Sequence, residues 1–428
     1  MRFLLSLFAA IVLLCDRVGA AQPNVVMIIS DDHAWTDYGF MGHPHVRTPN
    51  LDRLAKESLT FRRGYVPSSL CCPSLASLIT GRYPHEHFVT SNDPPKPEGM
   101  KQADFQKSAA FREGRERMTQ HLEAWPTLPR MLGEAGYISL QTGKWWQSDY
   151  SRGGFTEGMT KGGRHGDEGL DIGRKTMQPI YDFVRKARAE KRPFFLWYAP
   201  MMPHEPHTPP ERILAKYRER TPSERIAKYW AMVEWFDETC GQLLDFLQAE
   251  GIASDTIVTY LADNGWIQDP NEPKFTPTSK QSQYDGGLRT PIMLRWPGRI
   301  VPQISDTPVS SLDLFPTVLR ACGVTLPAGL PSIDLLDSTA ISAIRPLFGE
   351  CFTHNAIDLD KPAANLRWRW IIDDGWKLIV PAPQNEKGQP ELYHVSEDER
   401  ETANLAAAEP ARVTAMRKKL DAWWGGKL

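Results

Sequence analysis

Four short apolar runs, rich in β-branched and aromatic residues, set the fold class of this chain. They are VVMIIS ending at Ser30, YISLQT ending at Thr142, FFLWYA ending at Ala199 and TIVTYLA ending at Ala262. Longer helical patterns separate them, the signature of an α/β chain with a mostly parallel central sheet flanked by helices. The longest such pattern runs from about Ser223 to Glu250 and spaces Ile226, Trp230, Val233, Phe236, Leu243 and Leu247 along one helix. Another begins near Thr48, with Pro49 suited to the first helical position. Residues from about 92 to 120 are charged and proline-containing, which predicts an insertion over the surface. The glycine-rich stretch 153–173 predicts a functional or mobile loop. Beyond residue 335 the pattern changes to short strands in RWRWIIDD, WKLIV and ELYHV, then a helix from about Glu409. This predicts a larger domain over 21–335 and a smaller antiparallel α+β subdomain over 336–428.

Charge and the N-terminus narrow the function classes. With 50 Lys and Arg against 52 Asp and Glu, the net charge of -2 offers no global basic field for nucleic acid. Arg2, the apolar run from Phe3 to Cys15 and the small residues Val18, Gly19 and Ala20 read as a signal peptide over 1–20. That predicts export, periplasmic or secreted. No later segment is apolar enough for a permanent membrane span.

In open parallel sheets, ligands bind beyond the carboxyl ends of the strands. Here those ends carry Asp31 and Asp32, Lys144, His204 just past the third run, and Asp263 with Asn264. Singly, each reads as a loop or cap residue; four together point to a site. If the three aspartates converge, each pair of charges about 4 Å apart repels by about 4 kcal/mol at an effective dielectric near 20. Either protons are retained or a divalent cation sits among them. Asp and Asn oxygens suit a hard ion, Ca²⁺ or Mg²⁺, better than zinc, and His33, His43 and His45 fall in a proline-bounded irregular loop.

The segment SSLCCPSLASLITGRYPH, Ser68 to His85, places Cys71 and Cys72 at a helix N-terminus, with Pro73 in the first turn and Gly81 as the stop. Unpaired amides there favour anions and lower thiol pKa values. Read from spacing alone, the pair is equally compatible with buried or disulfide-bonded cysteines.

At this point the chain resembles the type I sulfatases, the formylglycine-dependent branch of the alkaline phosphatase superfamily. The resemblance runs from Asn24 to about Leu405 through NVVMIISDDHAWTDYG, TPNLDRLAKES, CCPSLASLITGRYPH, TGKW, MPHEPHTPP, LADNG, KQSQYDGGLRTPIMLRWPG, LDLFPTVL and ELYHVSEDERETANLA. It implies a sulfuric ester hydrolase whose catalytic domain is 21–335. It further implies that Cys71 is oxidised to formylglycine (3-oxoalanine) by a formylglycine-generating enzyme, with Cys72 as the variable residue of C-x-P-S-R. Asp31, Asp32, Asp263 and Asn264 would ligate Ca²⁺. Lys144 and Lys280 would bind the sulfate and the leaving-group side, with His204 near the leaving oxygen. A hydrated aldehyde supplies a nucleophilic hydroxyl, and a cation with two lysines neutralises charge spreading over the sulfuryl oxygens.

Two positions depart from the family pattern. The motif arginine is Leu75, and the histidine expected in GKWH is Trp146, which donates a hydrogen bond but is no base. His204, His207, His33 or His85 is then expected to compensate. Trp35, Trp145, Trp146 and Trp266 lie near proposed site groups and predict a carbohydrate-facing pocket, Trp146 included among the substrate contacts. Three functions follow: an exported calcium-dependent sulfatase acting on a sulfated small molecule or glycan, a phosphonate or phosphodiester hydrolase of the same superfamily, and a non-catalytic binder of sulfated glycan.

Overall fold

The computed structural model describes residues 22–342, 345–385 and 387–424, so the signal segment 1–20 lies outside the described residues. The four apolar runs become β1 (Asn24–Ser30), β3 (Ile138–Gly143), β5 (Phe194–Ala199) and β6 (Thr256–Ala262), all parallel and adjacent in the order β3-β5-β1-β6. They belong to a nine-stranded sheet completed by β2 (Leu59–Tyr65), β4 (Glu157–Gly158), β7 (Arg289–Arg295), β8 (Gln303–Ser305) and β9 (Val309–Ser310). Strand β7 is antiparallel to both β6 and β2. The sheet is therefore mostly parallel, as the sequence predicts.

Successive residues of β1 feed opposite cores, which is why the run is apolar throughout rather than alternating. Val25, Met27 and Ile29 pack with the helices Cys71–Thr80, Leu128–Glu134 and Leu314–Ala321. Val26 and Ile28 pack with Pro49–Lys56, Gln178–Ala189 and the long helix Glu224–Ala249.

The C-terminal region forms a second, antiparallel sheet of β10 (Leu347–Phe352), β11 (Leu366–Asp373), β12 (Trp376–Pro381) and β13 (Glu391–Tyr393). Trp370, Ile372 and Ile379 join the same core as β1, while Ile371, Leu378 and Val380 face Met416 and Leu420 of the helix Pro410–Trp423. The smaller sheet is thus fused to the larger one through shared apolar packing.

One segment differs from expectation. Residues expected as a surface insertion contain the helix Ala109–Glu123, capped by Ser108 Oγ accepting from Phe111 N at 3.1 Å. Its charged face is exposed, but Phe111, Met118 and Leu122 are buried, so three apolar residues suffice to dock it. Among the described residues no helix is long and apolar enough to cross a membrane.

Candidate active site

Because β1, β3, β5 and β6 run parallel and adjacent, their carboxyl ends meet at one edge of the sheet. Backbone hydrogen bonds fix the crossing chains there: Asp31 N donates to Met202 O at 3.0 Å, Asp263 N to Ser30 O at 2.9 Å and Lys144 N to Ala199 O at 2.7 Å. Gly143 sits at φ +75°, and a Cβ on it would lie 1.9 Å from Ala199 O, so only glycine lets β3 turn here and deliver Lys144. Asp32 is held at φ +58°, uncommon for a non-glycine residue, and its carbonyl accepts from Tyr229 Oη of the long helix at 3.3 Å.

These constraints gather the site residues around the aspartates, with the Trp146 ring one layer out, 5.7 Å from Lys144 Nζ. Lys144 Nζ lies 2.6 Å from Asp31 Oδ1 and 3.6 Å from Asp263 Oδ2. Lys280 Nζ is 2.7 Å from Asp32, Asn264 Nδ2 donates to Asp32 Oδ1 at 2.7 Å, and His204 Nε2 stands 3.4 Å from Asp32 Oδ2. Cys71 Sγ is 4.0 Å from Asp32 Oδ1. Asp31, Asp32, Cys71 and His204 each place a ligand atom within 4.8 Å of the others.

Burial raises the pKa of Asp31, with Lys144 opposing, and pushes Asp263 up to about 7, with Asp31 adding to the effect. Burial also opposes ionisation of Asp32, but Lys280, His204 and Lys144 outweigh it and hold the carboxyl below its usual range. Both lysines resist the same desolvation through Asp31 and Asp32 respectively and remain protonated. Desolvation lowers His204 to about 3. Its Nδ1 donates to Glu205 O at 2.6 Å, leaving Nε2 as the free nitrogen facing the site.

Three buried oxygens at this point accept no hydrogen bond: Asp31 Oδ2, Asp263 Oδ2 and Asn264 Oδ1. Buried acceptors are normally satisfied, and three orphans among clustered carboxylates are what an all-oxygen cation site requires. His33 instead bonds Ser30 Oγ and Asp37 O, and His43 and His45 pack on Trp230, so none joins the cluster.

The helix begins at Cys71, as expected, but the thiol expectation is reversed. Cys71 is fully buried, and desolvation raises its pKa to about 12 despite Lys144 and Lys280. Cys72 is also raised by burial; its N–H donates to Asn92 Oδ1 at 3.0 Å and Gln147 Nε2 lies 3.2 Å from its sulfur. The partial positive charge of a helix end is smaller than the cost of a thiolate with no water around it. All five described cysteines are unpaired.

The tryptophans also depart from expectation. Trp145 packs edge-on against Phe155 and Trp197, and Trp266 against Phe275, inside apolar clusters. Arg289 covers Trp35 at 3.8 Å, and Trp146 lies between Arg164 at 4.7 Å and Arg115 at 5.3 Å. All four rings are buried, so none presents the open face that sugar stacking needs.

Of the four histidines expected to compensate, His204 stands in the cluster with Nε2 3.4 Å from Asp32 Oδ2, and the other three are engaged elsewhere. His33 is engaged as above, His85 pairs with Glu350, and His207 packs against Tyr229 and Trp266. A second imidazole beside His204 is that of His165, from the glycine-rich loop, 4.7 Å from the Trp146 ring and 5.7 Å from His204 between centroids. Arg164, held bidentately by the buried Asp93 at 2.7 and 2.8 Å, donates to His165 Nε2 at 2.5 Å. Arginine only donates, so the neutral ring carries its proton on Nδ1. Nothing in the local sequence KGGRHGD marks this position; it follows from how the loop folds back beside β3.

A family model described as Sulfatase matches residues 23–324. The chain belongs to the sulfatase family. A second model, described as N-sulphoglucosamine sulphohydrolase, C-terminal, matches residues 277–423 of this sulfatase. The N-acetylgalactosamine-6-sulfatase of Mus musculus is 30% identical over 425 residues, covering 87% of this chain and 76% of the relative. Among solved structures, Ps i-CgsB in complex with k-i-k-neocarrahexaose has a TM-score of 0.73 at 21% identity, covering 95% of this chain and 94% of that one. The phosphonate monoester hydrolase of Agrobacterium radiobacter has a TM-score of 0.71 at 17% identity, covering 94% and 95%. These structures share the fold of the alkaline phosphatase superfamily, and sulfuric ester hydrolysis is the activity that membership assigns.

Proposed function

We propose that this sulfatase is exported and removes sulfate esters from a sulfated carbohydrate, using a formylglycine made from Cys71 and a bound Ca²⁺. The observation that carries this reading is the trio of orphaned buried oxygens on Asp31, Asp263 and Asn264, beside Cys71 and between two lysines. Asp31, Asp32, Asp263 and Asn264 would hold the ion, which supplies Lewis-acid polarisation of sulfate oxygens. Formylglycine at position 71, installed by a formylglycine-generating enzyme, supplies a hydrated aldehyde as nucleophile. Lys144 and Lys280 stay charged and bind sulfuryl oxygens, and His204 presents Nε2 on the leaving-group side. The machinery rests on residues 21–335, with 336–428 as its smaller partner subdomain. A cavity of about 750 Å³ opens at Glu205 to His207, its polar wall carrying Glu224, Arg225, Lys228 and Gln268, room enough for a saccharide. The names of the mouse relative and of the carrahexaose complex support that substrate class.

His165 is proposed to take the place left by the missing histidine at Trp146, donating from Nδ1 toward substrate. His165→Ala is expected to lower kcat/KM by about 10- to 100-fold, the worth of one charge-assisted hydrogen bond, with most of the loss in kcat. His165→Asn, which keeps an N–H donor, should recover part of it. Equal kinetics for wild type and His165→Ala would remove this assignment.

Leu75 and Trp146 favour a second reading, a binder of sulfated glycan without turnover. A panel of aryl and saccharide sulfates, phosphate diesters and phosphonates, assayed with protein from its native host, separates the possibilities. Preferential hydrolysis of sulfates is expected. Faster phosphonate hydrolysis, or glycan binding without any hydrolysis, would overturn the proposal.

A further inference from the structure

A further cluster of charge, sharing no residue with the aspartate site, lies on β2. Pairing between β2 and β7 advances from Phe61 opposite Ile292 to Gly64 opposite Thr290, so β2 carries one extra residue at Arg62 and Arg63. Such a bulge bends a strand and re-aims its side chains. Here it brings two consecutive arginines to one cavity of about 560 Å³, which Arg289 and Trp35 also line.

Two of the three guanidiniums are matched. Arg62 makes a bidentate pair with Asp306 at 2.8 and 2.5 Å, and Arg289 reaches Glu399 at 3.2 Å while stacking 3.8 Å over Trp35. Arg63 is different. It is 6% exposed, and its Nε and Nη2 are buried without any hydrogen-bond partner. Three guanidiniums therefore face two carboxylates, and the positive charge left over belongs to a buried one, Arg63. A buried guanidinium without an acceptor is costly, and its planar donors fit an oxyanion.

We propose that this cavity is a second oxyanion site, taking a sulfate group on Arg63. The group comes either from a second sulfate ester on the saccharide, which rests on the function proposed above, or from free inorganic sulfate, which does not. Crystals of the full chain soaked in selenate, a sulfate analogue with an anomalous signal, test the site directly. The expected result is a selenium peak against Arg63 that disappears in Arg63→Met and weakens in Arg63→Lys, the latter retaining charge and fold. An empty cavity at saturating selenate, or a peak unchanged in Arg63→Met, would overturn the proposal. Kinetics then assign the source. With a disulfated saccharide as the second anion's carrier, Arg63→Met should raise KM about tenfold while leaving a monosulfated substrate unchanged. Equal KM values together with bound selenate assign the site to inorganic sulfate. If no ester is hydrolysed at all, the selenate result still stands, so failure of the proposed function and failure of this site are distinguishable.

Discussion

Cys71→Ala is expected to leave a folded chain whose sulfatase turnover has dropped by at least about 10⁴-fold, the scale on which loss of a nucleophile acts. The reasoning starts from burial. The side chain is fully enclosed, its sulfur stands 4.0 Å from Asp32 Oδ1, and its thiol pKa is pushed up to about 12. As a thiol it would be un-ionised near neutral pH and a poor nucleophile, which is why the nucleophile proposed above is the formylglycine made from it. Deleting Sγ from a small buried site costs about 1 kcal/mol of stability, too little to unfold the chain. Cys72→Ala is the control, because that sulfur faces Gln147 rather than the aspartates, and it should retain most activity. Two measurements accompany the kinetics: the melting temperature, and the mass of the tryptic peptide Gly64–Arg82, which should show one sulfur lost at Cys71. Turnover within tenfold of wild type in Cys71→Ala would sink the assignment.

The parts of this site legible in the sequence are those fixed by local pattern. An apolar run followed by polar residues marks a strand and its carboxyl end, so Asp31, Asp32, Lys144 and Asp263 could be placed on one edge without coordinates. The helix starting at Cys71 was equally local, signalled by Pro73 and Gly81.

What escaped depends on depth or on distant packing. A helix N-terminus predicts a lowered thiol pKa, but the sign reverses once the same turn is sealed beneath the sheet edge. Tryptophans near site residues in sequence resemble sugar platforms, yet Arg289, Arg164 and Arg115 occupy the ring faces of Trp35 and Trp146. His165 was invisible because Asp93, more than seventy positions earlier, holds the arginine that fixes its ring. Arg63 was hidden in the same way: a bulge is a property of the pairing between two strands, not of either strand alone.

Removing calcium from the purified enzyme is expected to reduce turnover by about 10³-fold, since a Lewis-acid cation supplies several kcal/mol of transition-state stabilisation. It should also lower the melting temperature, an effect that can be read without any substrate. Ligand linkage makes this worth about 2.7 kcal/mol when calcium stands at a hundredfold excess over its dissociation constant. The structural origin is charge. Asp31, Asp32 and Asp263 converge, Lys144 and Lys280 offset two of the three, and the oxygens Asp31 Oδ2, Asp263 Oδ2 and Asn264 Oδ1 are left without donors. Asp263→Asn separates a metal site from a purely structural ion-pair network. It keeps Oδ1, which accepts from Asp32 N at 3.2 Å, but removes one negative charge. In a metal site the variant should melt higher than wild type when both are stripped and compared at pH 8, above the raised pKa of about 7 at Asp263, because repulsion is relieved, and should gain little when calcium is restored. In a lysine-paired network it should melt lower than wild type under both conditions, because Lys144 loses a partner at 3.6 Å. Restoration by Ca²⁺ in preference to Zn²⁺ is expected from the all-oxygen donor set, and rescue by zinc alone would contradict it.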